Sequence, residues 1–260
     1  MRENLNLPTI DIITPVRNRQ FVISYFLDCI KNLDYPKHLI SIITILNDST
    51  DNSEQILKQF KQSHQNDYKQ IKIITHNLSA PTDSRIGSRE EIYKTLYKVR
   101  NLLLQHCESE YIFSIDSDIL CKPDTLKRLL SAKKDIISAL IYNGKTYGSY
   151  VNEPEFKYTN VMNKVNGVYK HFSKRHNPEK YFIDEVVQVD MTGAIYLFSN
   201  KVAKTVKYGF HKNGEDLAFC QSAQAKGFKL YCNINLWQNH IMDAELLEKY
   251  LESKEILDEN

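Results

Sequence analysis

The chain has 260 residues, 42% of them hydrophobic and 25% charged, which is ordinary usage for a folded globular protein and excludes disorder. That length allows one large domain or two small ones with a substantial buried core. Lys and Arg total 34 against 32 Asp and Glu, and a net charge of +2 lacks the broad basic field that drives nonspecific nucleic-acid binding, so a small partner of mixed charge is expected instead of nucleic acid.

Along the first half, β-rich runs alternate with helical patterns. Thr9 to Thr14 reads as a strand, and Gln20 to Leu33 as a helix with Phe21, Tyr25 and Cys29 at helical spacing, stopped by Asp34-Tyr-Pro36. Leu39 to Leu46 is the next strand, Asn52 to Ser63 a helix, Ile71 to Thr75 a strand and Arg89 to Cys107 a longer helix. Tyr111 to Ile115, the helix Pro123 to Ala132 and the strand Asp135 to Ile141 complete this half. Such alternation implies βαβ crossovers and a mostly parallel sheet covered on both faces. Ligands of such sheets sit beyond the carboxyl ends of the strands, so the loops after Thr14, Leu46, Thr75 and Ile115 are expected to share one rim.

From Tyr142 to Tyr181 the regularity is lost, and Asn-Gly, Tyr-Gly-Ser-Tyr, Asn-Glu-Pro and His-Asn-Pro mark turns. Tyr142, Tyr147, Tyr150, Tyr158, Tyr169 and Tyr181 gather there, as expected of a recognition surface or lid. Order resumes with the strands Val186 to Val189 and Ile195 to Phe198, a helix from Gly214 to Lys226, a strand from Lys229 to Asn233 and a tail helix around Ala244 to Leu257. The organisation read from this is a ligand-binding half (1–141), a second half of the same domain (142–242) and a tail helix (243–260). Cys29, Cys107, Cys121, Cys220 and Cys232 are odd in number, scattered and set in apolar patterns, which argues for free thiols. No apolar run approaches the roughly 18 residues of a membrane span, and Met1 to Asn6 lacks a signal-peptide core, so no transmembrane segment and a cytoplasmic location are expected.

Chemistry concentrates at the predicted rim. Asp116 and Asp118 follow a buried strand as Asp-Ser-Asp, a DxD motif. In extended backbone residues i and i+2 point the same way, so the carboxylates converge and repel unless a cation joins them. Hard oxygen ligands suit Mg²⁺ or Mn²⁺. His240, after Trp237-Gln-Asn, would complete such a site with an imidazole nitrogen. Glu215 and Asp216 open a predicted helix, where acids complement the helix dipole, and a carboxylate there is also able to take a proton from a hydroxyl. Asp48 ends a strand where it would accept from a nucleobase N–H or a ribose hydroxyl. Arg17 and Arg19 lie on the same rim, facing base, ribose or phosphate. Asp51 and Glu54 form a capping-box-like pair. Arg100 sits within a helix, with an exposed ion pair as the alternative role, and Trp237 either stacks on a sugar face or packs in the core.

Taken in order, these pieces resemble the nucleotide-sugar-dependent glycosyltransferases of the GT-A fold, especially family 2. Thr14-Pro-Val-Arg-Asn18 is similar to the motif Ile-Pro-x-Tyr-Asn. Leu46-Asn-Asp-Ser-Thr-Asp-Asn-Ser53 resembles Asp-Asp-Gly-Ser-Thr-Asp-Asn-Thr, with the glycine missing and Asn47 in place of the first aspartate. Val99-Arg-Asn101 resembles Ala-Arg-Asn, and Gly214-Glu-Asp216 the later acidic motif. Tyr111 to Leu130 and Cys220 to Asn233 are also similar to collagen-type galactosyltransferases and Anp1-like mannosyltransferases.

The resemblance implies an α/β GT-A architecture and transfer of a sugar from a nucleotide sugar, taken as a UDP-sugar, to a hydroxyl of a glycan, lipid-linked, small-molecule or protein acceptor. It implies that Thr14, Pro15, Arg17, Asp48 and Arg100 hold the nucleotide, with Asp116 and Ser117 on the ribose and sugar side. Asp118, Asp116 and His240 would hold Mn²⁺ or Mg²⁺, Asp216 would act as general base of an inverting reaction with Glu215 as its rival, and Trp237 would meet the acceptor. A retaining reaction and a sugar-phosphate nucleotidyltransferase are the alternatives. The latter requires a glycine-rich phosphate loop after the first strand, and Thr14 to Gln20 contains no glycine.

Overall fold

The computed structural model describes residues 7–78, 89–143, 158–172 and 185–258. Its chain order begins β1 (Ile10–Val16), α1 (Ile23–Lys31), β2 (Ile40–Asn47), α2 (Ser53–His64), β3 (Gln70–His76), α3 (Arg89–Gln105) and β4 (Tyr111–Ile115). It continues with β5 (Ile119–Leu120), α4 (Thr125–Ser131), β6 (Ile136–Ile141), β7 (Met162–Val165), β8 (Val168–His171), β9 (Val186–Val189) and β10 (Ile195–Ser199). The last elements are α5 (Asn200–Thr205), α6 (Glu215–Ala225), β11 (Leu230–His240) and α7 (Ala244–Asp258).

Strands β3-β2-β1-β4-β10-β6-β11-β5 lie side by side in a nine-stranded sheet completed by β9 against β11. The first four run parallel, β10 enters antiparallel between β4 and β6, and β11 runs parallel to β6. All eight residues of β2 are buried, because helices cover both sheet faces. Strand alternation divides the apolar side chains between two cores: Ile12, Ile40 and Ile42 face the layer of α1 and α4, whereas Ile13, Ile43 and Ile45 face α3 and α6. Buried Asp11 ties the turn before β4 to β1, accepting from the Glu108 and Ser109 amides at 2.7 and 2.8 Å and from Ser109 Oγ at 2.7 Å.

The structure corrects several local expectations. Helix α1 begins at Ile23, not Gln20, and buries Ile23, Phe26, Leu27 and Ile30, while Tyr25 faces solvent. Apolar residues surround this helix, so two faces satisfy the helical period, and packing against the sheet selects one. The Asp51–Glu54 capping box does not close: Asp51 accepts from the Ser53 and Gln20 amides, and Glu54 pairs with Lys58. Within the stretch read as irregular, β7 and β8 form a hairpin about Asn166-Gly167, whose φ values of 51° and 81° meet the demands of a tight hairpin turn. Tyr147, Tyr150 and Tyr181, with the Asn143-Gly144, Tyr147 to Tyr150, Asn152 to Pro154 and His176 to Pro178 turn motifs, lie wholly or partly outside the described residues.

Strand β11 runs on to His240 instead of ending near Asn233, shifting register between Cys232 and Trp237. Its far end pairs with β5, matching His240 to Ile119, and this brings the histidine beside the DxD motif. The tail helix buries Leu246, Leu247 and Tyr250 against the α1 side of the core. All five cysteines are free thiols. No described helix is long and apolar enough to cross a membrane.

Candidate active site

The carboxyl ends of β1, β2 and β4 and the incoming end of β10 meet at one rim. Beside it lies a cavity of about 450 Å³ whose walls include Arg17, Asp116, Asp118, Glu215, Asp216 and His240. Distant residues become neighbours here because the parallel crossovers return the ends of β1, β2 and β4 to the same edge, where antiparallel β10 begins.

Arg100 organises one wall. Its side chain is 2% exposed, so the expected surface ion pair is replaced by a buried one. Nε donates to Glu215 Oε1 at 2.8 Å, Nη2 to Asp116 Oδ1 at 2.7 Å and Nη1 to Ser114 Oγ at 3.3 Å, while Asp216 Oδ1 lies 3.8 Å from Nε. One planar fork thus gathers the acids of β4 and of α6. Burial alone would disfavour its charge, yet the three carboxylates hold Arg100 protonated, well above its ordinary range.

Asp216 stands in the first turn of α6, which opens after Gly214 at a φ of 117° that only glycine adopts without strain. Its Oδ2 accepts from the Ala194 amide at 3.1 Å and its Oδ1 from Tyr196 Oη at 3.0 Å. Tyr196 in turn shares a short hydrogen bond with Tyr208. Burial, helped by neighbouring Glu215 and Asp116, pushes the Asp216 carboxyl up to about 7 against the opposing pull of Arg100. A carboxylate in that range exchanges protons near neutral pH.

The strap before β10, Thr192 to Ala194, links the two groups of acids. Ala194, held at φ 64°, donates its amide to Asp216, and its carbonyl accepts from the Asp116 amide at 2.9 Å. A Cβ on Gly193 would stand 2.2 Å from Asp216 Oδ2, so only glycine fits. Asn160 donates to the Gly193 carbonyl at 3.0 Å, and Cys220 Sγ donates to the Thr192 carbonyl at 3.1 Å. Gly193, Ala194, Asn160 and Tyr196 were invisible to motif reading, since the only local signal is one glycine before a strand.

Asp118 turns away from this cluster. Its Oδ2 pairs with Arg19 Nη2 at 3.1 Å, and its buried Oδ1 lies 3.5 Å from His240 Nε2, with no hydrogen-bond partner among the described residues. Burial works to raise its carboxyl, but His240 and Arg19 prevail and hold it down at about 2. Burial likewise works to lower His240, but Asp118 holds it above its ordinary value. Asp116 is raised, by burial first and by Asp118 next, with Arg100 opposing.

Among the described residues no group of three or more His, Cys, Asp or Glu is arranged to hold a metal ion by itself. The orphaned Asp118 oxygen facing an imidazole nitrogen nonetheless fits a divalent cation that takes two protein ligands and leaves other positions to a diphosphate and water. Asp116, engaged by Arg100, faces the same cavity.

The remaining candidates fall into two groups. Pro15, Arg17 and Ser117 line the cavity, Ser117 Oγ donating to the Pro15 carbonyl at 2.9 Å. Thr14, Asp48 and Trp237 are not among its lining residues: Thr14 is wholly buried, and Trp237 packs against the α3 side of the core. Asp48 sits at the rim at φ 49°, beside Asn47, which does line the cavity. Asn47 Nδ2 donates to Asp48 Oδ2 at 3.0 Å while its Oδ1 accepts from the Leu78 amide at 2.9 Å. An aspartate at 47 would lack that donor and repel Asp48, so asparagine suits this place.

The sequence profile of the Anp1 family matches residues 2–199, three quarters of the chain. The chain belongs to the Anp1 family. Mouse procollagen galactosyltransferase 2 is 27% identical to this Anp1-family chain over 150 residues, covering 55% of this chain and 24% of that protein. Poly(ribitol-phosphate) beta-glucosyltransferase of Bacillus spizizenii is 27% identical over 224 residues, covering 85% of this chain and 30% of that protein. The mannan polymerase II complex anp1 subunit of Schizosaccharomyces pombe is 27% identical over 147 residues, covering 50% and 34%. The chain therefore spans about a quarter to a third of the length of these curated relatives. Mannosyltransferase PcManGT from Pyrobaculum calidifontis, solved with GDP-Man and Mn²⁺, superposes with a TM-score of 0.59 at 14% identity, covering 91% of this chain and 57% of that one. S. aureus TarS superposes at 0.55 with 16% identity, covering 92% and 38%. The Anp1-family chain thus has the GT-A glycosyltransferase fold.

Proposed function

We propose that this protein is a metal-dependent glycosyltransferase that moves a sugar from a nucleotide sugar, taken as a UDP-sugar, to an acceptor hydroxyl with inversion at the anomeric carbon. The observation that carries the reading is the buried Arg100 fork, which gathers a carboxylate titrating near neutrality, Asp216, beside the DxD motif on one cavity wall. Family membership and the names of the relatives, all of them sugar-transferring or mannan-building proteins, support it.

In this reaction the acceptor oxygen attacks the anomeric carbon, the bond from that carbon to the diphosphate breaks, and Asp216 takes the acceptor proton. Its raised proton affinity suits that task, and the Ala194 amide and Tyr196 hydroxyl fix its orientation. Glu215, held by Arg100 Nε and almost wholly buried, positions the arginine instead of acting as base. Arg100, each of whose three side-chain nitrogens donates to a protein group, acts through the acids it holds. Asp118 and His240, with Asp116 nearby, would hold Mn²⁺ or Mg²⁺, which when bound neutralises charge on the departing diphosphate. Asp48, Arg17, Pro15 and Ser117 are assigned to the nucleoside and ribose, buried Thr14 supports their turn from beneath, and Trp237, packed against the core, is given no ligand role. The relatives are named for collagen, poly(ribitol-phosphate) and mannan, so a protein, polyol-phosphate or glycan acceptor is to be tried.

Screening nucleotide sugars for hydrolysis and transfer, with and without Mn²⁺, tests the assignment, and an NMR assignment of the product anomer tests inversion. Absence of binding to every nucleotide sugar would overturn the first reading. A retained anomeric configuration would overturn the second.

A further inference from the structure

Arg19 stands where a cation is wanted. Its Nη2 lies 3.1 Å from Asp118 Oδ2, and its Nη1 folds back onto the carbonyls of Arg17 and Asn18 at 3.3 and 3.5 Å. Asp118 is the carboxylate best disposed to a metal, with its second oxygen aimed at His240. A guanidinium on Oδ2 and a divalent ion on Oδ1 would repel each other across one carboxylate, which favours alternation at Asp118 over joint occupancy.

The backbone that carries Arg19 is tied to the opposite side of the proposed donor site. Asn18, Arg19 and Gln20 donate their amides to Ser49 Oγ, Ser53 Oγ and Asp51 Oδ2 at 3.1, 2.8 and 2.9 Å, and the Thr50 amide donates to Asn18 Oδ1 at 2.8 Å. These partners belong to the loop that directly follows Asp48 and to the first residue of α2. The anchor of the arginine is thus rigid, while its side chain is about one third exposed and able to swing.

We propose that Arg19 is an exchangeable internal cation: it neutralises Asp118 when no donor is bound, gives that place to the metal, and turns its guanidinium onto the diphosphate that arrives with the metal. The exchange keeps the charge at Asp118 balanced in both states. It also couples the two ligands, since metal alone must displace the arginine without compensation, whereas metal with a nucleoside diphosphate offers the freed guanidinium two phosphates that match its fork. This inference rests on the metal-dependent reading above, and concerns a residue that acts on the ligand directly.

The test uses Mn²⁺ alone, UDP alone and the two together, measured by Mn²⁺ electron paramagnetic resonance and titration calorimetry on the wild-type chain, Arg19→Ala and the near-isosteric Arg19→Gln. If the arginine holds Asp118 most of the time, the fraction competent for metal is small, and removing it tightens Mn²⁺ binding without nucleotide by about fivefold. The same variants weaken UDP binding in the presence of Mn²⁺ by about tenfold, reversing the sign of the effect. Unchanged or weaker Mn²⁺ affinity in both variants, with wild-type binding intact, would overturn the exchange and leave the glycosyltransferase reading standing. Tighter Mn²⁺ binding with unchanged UDP affinity would overturn the diphosphate contact. Absence of Mn²⁺ binding to the wild-type chain, with and without UDP, would sink both this inference and the metal-dependent reading. Far-UV circular dichroism and a melting curve check that each variant folds, which is expected because the Arg19 amide bond to Ser53 is kept.

Discussion

Replacing Arg100 by methionine keeps the bulk and flexibility of the side chain and removes its charge. The guanidinium makes two charge-assisted hydrogen bonds of 2.7 and 2.8 Å to Asp116 and Glu215 and lies 3.8 Å from Asp216, at 2% exposure. Breaking a buried pair by deleting one partner costs about 3–5 kcal/mol, since the carboxylates left behind have neither water nor a counter-ion. With a urea slope of about 3 kcal/mol per molar, the loss corresponds to a fall of about 1–1.7 M in the unfolding midpoint.

The pH dependence of this loss has a definite sign. Asp216 and Asp116 bind protons more tightly folded than unfolded. Their contribution to stability is therefore fully present below the usual carboxylate range and is lost as pH rises through their folded values, to about 7 for Asp216. Arg100 opposes that loss, so Arg100→Met is expected to be more damaging at pH 8 than at pH 5, where protonation partly relieves the stranded acids. Arg100→Lys restores charge but not the fork, and is expected to recover less than half of the stability. Urea titrations of the three proteins at both pH values decide the matter. A midpoint shift below about 0.3 M at pH 8, no larger than at pH 5, would refute the reasoning.

Asp216→Asn is expected to lower transfer by about 10²- to 10⁴-fold while leaving binding of UDP and Mn²⁺ within about twofold, as calorimetry beside an activity assay would reveal. In the wild-type enzyme, activity should fall as pH drops below about 7, because the base is then protonated, and a pH–rate profile flat from 5 to 8 would contradict this assignment. Gly193→Ala drives a methyl group into Asp216 and is expected to reduce kcat with little change in donor KM. Chelation of divalent ions should abolish transfer, with recovery on adding Mn²⁺ or Mg²⁺. Away from the site, Asp11→Ala removes three hydrogen bonds to the 108–109 turn and is expected to cost about 2–4 kcal/mol, measurable as a drop in urea midpoint.

Local chemistry made the first half of the fold legible. Runs such as Ile40 to Leu46 are short, β-branched and bounded by turns, and the helices between them are amphipathic, so a parallel sheet and a common rim follow from period and spacing alone. Asp116 and Asp118 both reach the cavity, yet through a turn after β4, closed by the Ile119 amide on the Asp116 carbonyl at 3.1 Å, and not by the two-residue period of a strand, whereas the acids at 215 and 216 follow from a helix that begins after Gly214. The Asn166-Gly167 hairpin was missed, although Asn-Gly is a hairpin signal, because its turn lies among others that blur the segment.

The remaining features of the site depend on contacts between distant residues with no periodic signature. Nothing near Arg100 announces that Glu215, 115 residues later, will share its guanidinium, since a buried arginine and a surface arginine look alike within a helix. The antiparallel entry of β10 between β4 and β6 sets Ala194 between Asp116 and Asp216, and strand order is fixed by packing of the whole sheet. The register shift in β11 carries His240 to Asp118, and the buried face of α1 was chosen by the sheet beneath it. The sequence alone thus determined that Asp116, Asp118, Glu215 and Asp216 reach the rim, because strand ends and helix starts are locally encoded, but not that Thr14 and Trp237 stay out of the cavity or that the Gly193–Ala194 strap enters the site. The partner each group meets there was decided by long-range packing and by the need of buried charges for counter-ions.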